Sequence, residues 1–378
     1  MAGELIETPP DAIVLHRVVI PMRSPFAASH GVETNKHATI VEVRRAGISG
    51  WGECAALEHP TYTDEFADGA FRMLQDTIAP AALQGSKWAS ASPGDPMAKA
   101  GLGLALLDCG LRRGGVSLVA HLEEITGTPA RRLVPAGLSL GISHDLDELV
   151  ANVANAIVEG YQRIRLKIDR NWDHQPLEAV RSLFPDAVVQ VDANGSYTTD
   201  DFGRLRELER YTLLMIEQPL PTGDLEGHAA LARVLNIPIC LDEPIVSAQT
   251  AQETLLRKAA SVINIKVARL GGLQATLDTL AVCRSLGAGA WCGGMLDTGI
   301  GRAVNVAVAS LDGFTSPGDI AGTDRYFDRD IITTRFRVSE GYIAVPDGPG
   351  IGVEIDHDAL AAFTIKRVEL VRPQRARG

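Results

Sequence analysis

Short apolar, β-branched runs that end in a charged residue or glycine recur through the middle of the chain at nearly constant spacing. RIRLK closes at Lys167, VVQVD at Asp192, LLMIE at Glu217, IPICLD at Asp242 and SVINIK at Lys266, a beat of about 25 residues. Carried outward, the beat reaches Ser139 in GLSLG upstream, and Gly293 in AGAWCGG and Asp319 in PGDI downstream. Between these runs the apolar period becomes helical. Leu146, Leu149, Val150, Val153 and Ile157 share one face, with Ser143 as the expected N-cap and Gly160 just past the end. Thr198 or Thr199, and later Ser247, are the expected caps of two further helices. Strand-like runs that each lead into helix-like sequence predict an α/β fold, a modified TIM-type (β/α)7β barrel over residues 131–324. An open doubly wound sheet has the same local pattern, but ionisable residues at consecutive strand ends converge on one point only if the sheet closes.

The flanks alternate differently. Residues 12–22 (AIVLHRVVIPM) and 37–45 (HATIVEVRR) read as antiparallel strands, with a tight turn at AGISG. Phe66, Ala70, Phe71, Leu74 and Ile78 mark one helix, and AKAGLGLALLDCGL a second whose small residues suit close packing. TTRFRV and YIAV around Glu340-Gly341 read as a hairpin, which is not stable alone. Residues 1–130 and 325–378 are therefore expected to form one α+β capping domain built from both ends of the chain. The basic tail VRPQRARG is expected to be a solvated extension.

In a β/α barrel the catalytic face lies at the C-terminal ends of the strands, where Lys167, Asp192, Glu217, Asp242 and Lys266 fall. A lone carboxylate there is equally well a helix cap; three on consecutive strands are not. At about 4 Å and an effective dielectric of about 20, each like-charge pair costs about 4 kcal/mol, a penalty that a divalent cation removes. Oxygen ligands without His or Cys point to Mg²⁺, with Mn²⁺ as the substitute. Asn194 and Glu243 are placed to support the ligands from behind. Lys167 and Lys266 would approach a metal-held substrate from opposite sides. As bases they must deprotonate well below about 10.4, and the cation, with Arg165 nearby, is expected to lower their pKa values. The chemistry this suggests is removal of a proton α to a carboxylate, through a metal-stabilised enediolate.

Composition narrows the partners. The 378 residues are 46% hydrophobic and 22% charged, close to a globular average, without an apolar run of membrane-spanning length. With 36 Lys and Arg against 47 Asp and Glu, no sequence-wide basic footprint invites nucleic acid. Glu4, Glu7, Pro9 and Pro10 stand where a secretory signal would need a basic stretch and an apolar core, so a cytoplasmic location is expected. The scattered Cys54, Cys109, Cys240, Cys283 and Cys292 suggest reduced thiols rather than a disulfide framework. No organic cofactor is expected: GLGLAL places Leu106 where a dinucleotide fingerprint needs glycine. GLSLG matches a nucleophile elbow but falls on the first barrel strand.

RLK at 165–167, VDAN at 191–194, IEQP at 216–219, LDEP at 241–244 and INIK at 263–266 resemble the motifs of the enolase superfamily, in its muconate-lactonizing subgroup. CGGMLDTGIGRAVN at 292–305 and PGDI at 317–320 are similar to the N-succinylamino acid racemase and o-succinylbenzoate synthase branch, and PMRSPFAASHG at 21–31 to that branch's mobile N-terminal loop. The resemblance implies Asp192, Glu217 and Asp242 as metal ligands and Lys167 and Lys266 as the acid/base pair. It implies a substrate site lined by Ser139, Gly294, Met295, Leu296 and Asp319 and closed by Phe26 and Tyr62 from the cap. Arg269 resembles an arginine of racemase-competent members, which favours a racemase or epimerase of N-acyl (N-succinyl) amino acids. The alternatives are o-succinylbenzoate synthase, a dehydration in the menaquinone pathway, a dipeptide epimerase or a cycloisomerase. A small-molecule carboxylate substrate and a homo-oligomer are implied. Arg165 stands where the family's first lysine is usual, Asp297 where Glu is usual and Val304 where His is common. The absence of His after the seventh strand separates the chain from the mandelate racemase subgroup.

Overall fold

The computed structural model describes residues 9–28, 31–90 and 94–373. Strands β1 (Ala12–Ala28), β2 (Gly31–Arg45) and β3 (Ile48–Cys54) form an antiparallel sheet, and the C-terminal segment Thr364–Val371 adds to the outer edge of β1. Both ends of the chain therefore build one sheet. Ile13, Leu15, Val41 and Val43 pack on Phe71, Leu74 and Ile78, whereas Val18, Ile20, Ala38 and Ile40 join the barrel's core.

The segment read as a loop at 21–31 is the far half of a hairpin. Phe26 pairs with Glu33, Ala27 with Val32 and Ala28 with Gly31, after a register shift between Pro21 and Phe26. Pro21 and Pro25 lack the amide that a continuous ladder needs, which accounts for the break. Residues 29 and 30 lie outside the described residues.

The helix Pro96–Gly114 rides directly on β3. A Cβ on Gly50 would lie 2.1 Å from the Cys109 amide nitrogen, and one on Gly52 2.1 Å from the Gly101 carbonyl oxygen. Gly52→Ala is expected to lower unfolding stability by about 1–3 kcal/mol through overpacking against backbone that cannot give way. Urea denaturation followed by circular dichroism checks this; an unchanged midpoint would refute the close-contact account.

The barrel begins after strand β4 (Leu133–Pro135). Strands β5 (Gly137–Leu140), β6 (Arg163–Lys167), β7 (Val189–Asp192), β8 (Ile216–Glu217), β9 (Ile239–Leu241), β10 (Val262–Ile265) and β11 (Gly289–Cys292) are parallel and lie in sequence order. PGDI, expected as the eighth strand, makes a single parallel bridge instead, Ala136 to Gly318. That bridge still joins the two edges. The Gly137 amide donates to the Gly318 carbonyl at 2.9 Å, and the Asp319 amide to the Cys292 carbonyl at 2.9 Å.

Three other local expectations change. The helix Leu146–Val158 is capped by Asp145 rather than Ser143, because only Asp145 adjoins the first turn and accepts from the Glu148 amide at 2.8 Å. Thr198 and Ser247 cap as expected, each in a reciprocal capping box. YIAV does not pair with TTRFRV: strand β12 (Tyr342–Ala344) pairs with β4, which buries Val134 and Ile343 together. The tail is anchored as far as Arg372, which donates to Asp11 after strand β13 (Thr364–Val371); residues 374–378 lie outside the described residues. The five cysteines are buried and unpaired. No helix among the described residues is long and apolar enough to cross a membrane.

Candidate active site

Strand register brings the ionisable residues together. Lys167 is the Cα partner of Asp192, and Asp192 of Glu217, at the last positions of β6, β7 and β8. Asp242 and Lys266 are the first residues beyond β9 and β10. The period of two aims Arg163, Arg165 and Lys167, then Gln190, Asp192 and Asn194, toward the barrel interior, and nearly all are buried. Backbone conformation is unusual here: Asn194, Gln218 and Leu296 have φ of 42°, 40° and 54°. Such values are uncommon outside glycine and cluster at functional sites.

The trio is not bare. Arg165 Nη1 donates to Asp192 Oδ2 at 2.8 Å and to Glu217 Oε2 at 2.7 Å, and its other terminal nitrogen bonds Asp319. Its guanidinium carbon sits 5.2 Å from the Trp291 ring centroid, a stacked position for a planar cation. Lys167 Nζ bonds Asp192 Oδ2 at 2.7 Å and Asn194 Oδ1 at 2.5 Å. Lys266 Nζ bonds Asp242 Oδ2 at 2.8 Å, and Arg269 bonds the other Asp242 oxygen. The repulsion expected of three close carboxylates is thus offset by four interleaved cations. Among the described residues no three carboxylate, His or Cys side chains meet at a shared coordination distance, so a cation has to compete with these partners for the carboxylate oxygens.

The donor chemistry nevertheless fits a divalent cation. Burial, reinforced by Asp192 and Asp242, raises the Glu217 carboxyl to about 7 against the pull of Arg165. Burial with Asp242 and Asp192 raises Glu243 to about 8, and its Oε2 has no hydrogen-bond partner. Carboxyl groups held back from ionising by burial, and further by their acidic neighbours, are ones that a bound cation would favour in the ionised form. The opposite end of the balance is Lys266. Burial works against its charge, but Asp242 and Tyr62 together outweigh burial and raise its pKa. For Lys266 the lowering expected from the sequence is therefore not supplied by the polypeptide.

The cap completes the site. Tyr62 donates to Asp242 Oδ2 at 3.1 Å and accepts from Lys266 at 2.9 Å and Arg269 at 2.6 Å. Lys36 lies 3.2 Å from Glu53 and donates to the Met295 carbonyl at 2.9 Å. Glu53 accepts from the Thr298 hydroxyl at 2.7 Å and the Gly301 amide at 3.0 Å, at the N-terminus of the helix Gly299–Ala309. The cap thus docks by placing a carboxylate on a barrel helix dipole. Lys36→Met is expected to cost about 3–5 kcal/mol in urea denaturation, because it leaves Glu53 buried without its cation. A change below 1 kcal/mol would remove this pair from the docking account.

One cavity collects the named residues: Phe26, Tyr62, Ser139, Arg165, Lys167, Asn194, Lys266, Gly294, Met295, Leu296 and Asp319 all line it. Glu243 and Arg269 lie behind that surface, held by Asn194 and Asp242 respectively. Asp297 accepts from the Met295 amide at 3.0 Å and from Asn305 at 2.8 Å, and so shapes the loop after β11. The cavity also includes Glu33, Leu57, Arg302 and Tyr326, which the sequence did not single out. Gln190 and Asn264 hold Glu217 from both sides at 2.8 Å. Their signal was present, each lying two residues before a named one on the same strand.

A family model described as enolase C-terminal domain-like matches residues 148–359. Over 365 residues the chain is 40% identical to an N-succinylamino acid racemase of Amycolatopsis sp, with 94% of this chain and 98% of that one covered. It is 39% identical to an o-succinylbenzoate synthase of Geobacillus stearothermophilus, with 93% and 95% covered. The crystal structure of an enolase superfamily member from Listeria innocua matches with a TM-score of 0.90 at 34% identity, covering 97% of this chain and 100% of that one.

Proposed function

Since the chain belongs to the enolase superfamily, in the branch shared by N-succinylamino acid racemases and o-succinylbenzoate synthases, we propose that it racemises N-succinyl amino acids by proton transfer between two lysines. The observation that carries this reading is that Lys167 and Lys266 line one cavity, each held against a different carboxylate. Enzymes of this superfamily generally use a divalent metal. A cation, taken to be Mg²⁺, would be held by Asp192, Glu217 and Asp242, and supplies the charge against which a carboxylate-derived enediolate is stabilised.

The chain's own residues do the rest. For one hand of substrate Lys167 Nζ accepts the α-proton and the Lys266 ammonium returns one on the other side; for the other hand the roles exchange. Tyr62 and Arg269 orient Lys266 through Asp242, and Asn194 orients Lys167. Phe26 and Tyr62, from the cap, exclude water from the reacting face.

A second reading, dehydration to o-succinylbenzoate, has the support of a relative at 39% identity so named. It uses the same residues, with Lys167 removing the proton and Lys266 remaining a cation. Incubation in D₂O with N-succinyl amino acids of either hand separates the two. Racemisation predicts α-deuterium in both enantiomers; no incorporation with any N-succinyl amino acid would defeat it.

A further inference from the structure

The substrate cavity is ionic at the strand ends and apolar toward the cap, where Phe26, Leu57 and Leu296 line it. Two carboxylates belong to its lining, Asp319 and Glu33. Asp319 is ion-paired with both Arg163 and Arg165. Glu33 makes no hydrogen bond or ion pair within the described residues. It is the cross-strand partner of Phe26 on the hairpin, and directly opposed residues of an antiparallel pair project to the same face. The side chain therefore accompanies Phe26 along the cavity wall, where it is half-buried.

The charges around Glu33 do not satisfy it. Lys36 is the nearest cation, but its ammonium is committed to Glu53 and the Met295 carbonyl. Glu58 adds negative charge from the neighbouring segment while paired to His37 at 3.3 Å, and His59 offsets it only weakly. Burial raises the Glu33 carboxyl above the ordinary glutamate range, and Lys36 only partly offsets it. A partly desolvated carboxylate beside apolar side chains is favoured by a cationic partner.

Building on the racemase reading, we propose that Glu33 is the specificity residue for the amino-acid side chain, and that the preferred substrates are N-acylated amino acids whose side chain ends in an ammonium or guanidinium group. The substrate carboxylate faces the cationic strand ends. The apolar stem of the side chain lies along Phe26 and Leu57, and its charged end meets Glu33.

The test compares N-succinyl-lysine with N-succinyl-norleucine, which has the same stem without the charge, by α-deuterium exchange and polarimetry. Wild type is expected to favour the lysine derivative in kcat/KM by about tenfold or more, the scale of a charge-assisted hydrogen bond in a desolvated site. Glu33→Gln should bring the ratio near one and Glu33→Lys should invert it. Turnover of norleucine with no preference for lysine, or an unchanged ratio in Glu33→Gln, overturns the assignment while the racemase reading stands. Absence of exchange with both substrates overturns the assignment, and the racemase reading falls with it only if no other N-succinyl amino acid exchanges either.

Discussion

Lys167→Ala and Lys266→Ala are each expected to abolish racemisation, lowering kcat/KM by about 10³-fold or more, since each removes one of two groups that must both move a proton. The two variants should fail differently from a collapsed site. Each retains α-deuterium exchange with the one enantiomer whose proton faces the surviving lysine, so exchange becomes single-handed while racemisation stops in both directions. The fold should survive, because Asp192 keeps Arg165 when Lys167 is gone and Asp242 keeps Arg269 when Lys266 is gone. Arginine at either position should not rescue activity, because a guanidinium does not give up its proton. Polarimetry with proton NMR in D₂O reads both effects. Full activity in both directions from either alanine variant would take that lysine out of the mechanism.

Chelation is expected to be as severe for activity and mild for the fold. Dialysis against EDTA should lower turnover by at least about 10³-fold, equivalent to about 4 kcal/mol of lost transition-state stabilisation, and Mg²⁺ or Mn²⁺ should restore it. Without a dication the carboxylates do not stand unpaired, since Arg165 bridges Asp192 and Glu217 while Lys266 and Arg269 hold Asp242. The melting temperature should therefore fall by only a few degrees. What is lost is the charge that opposes Asp242 and Tyr62, which together keep Lys266 protonated. Turnover that resists EDTA would sink the metal assignment.

Much of this was legible along the chain because an ionisable residue at the end of a buried apolar strand is a local anomaly, and five such anomalies in step describe a closed sheet. Asp192, Glu217, Asp242 and the two lysines needed no more than that. Gln190 and Asn264 obey the same alternation but carry no charge to draw attention. Glu33, Leu57, Arg302 and Tyr326 were illegible for a different reason. They reach the cavity through tertiary packing of cap on barrel, as the Lys36 bond to Met295 does across 259 positions, and no local period encodes such a meeting. The expected hairpin at Glu340-Gly341 failed for the same cause: the turn forms between Ser339 and Tyr342, yet burying Ile343 beside Val134 outcompetes the neighbouring strand. For Lys266 the expected lowering has to come from the cation, because Asp242 and Tyr62 act in the opposite direction.

The sheet that β1 shares with the last strand has a consequence for synthesis. Asp11 and its partner Arg372 are separated by 361 positions, which at about 5–20 residues per second is roughly 20 to 70 s on the ribosome. For that interval β1, with its run AIVLHRVVI, presents an unpaired hydrophobic edge of the kind that recruits other chains. The barrel can fold meanwhile, but the cap has to wait for the codons of Thr364–Val371. A product that stops short of residue 364 keeps every strand-end lysine and carboxylate, yet it leaves that edge open for good. Quality control during translation, rather than chemistry, would decide its fate.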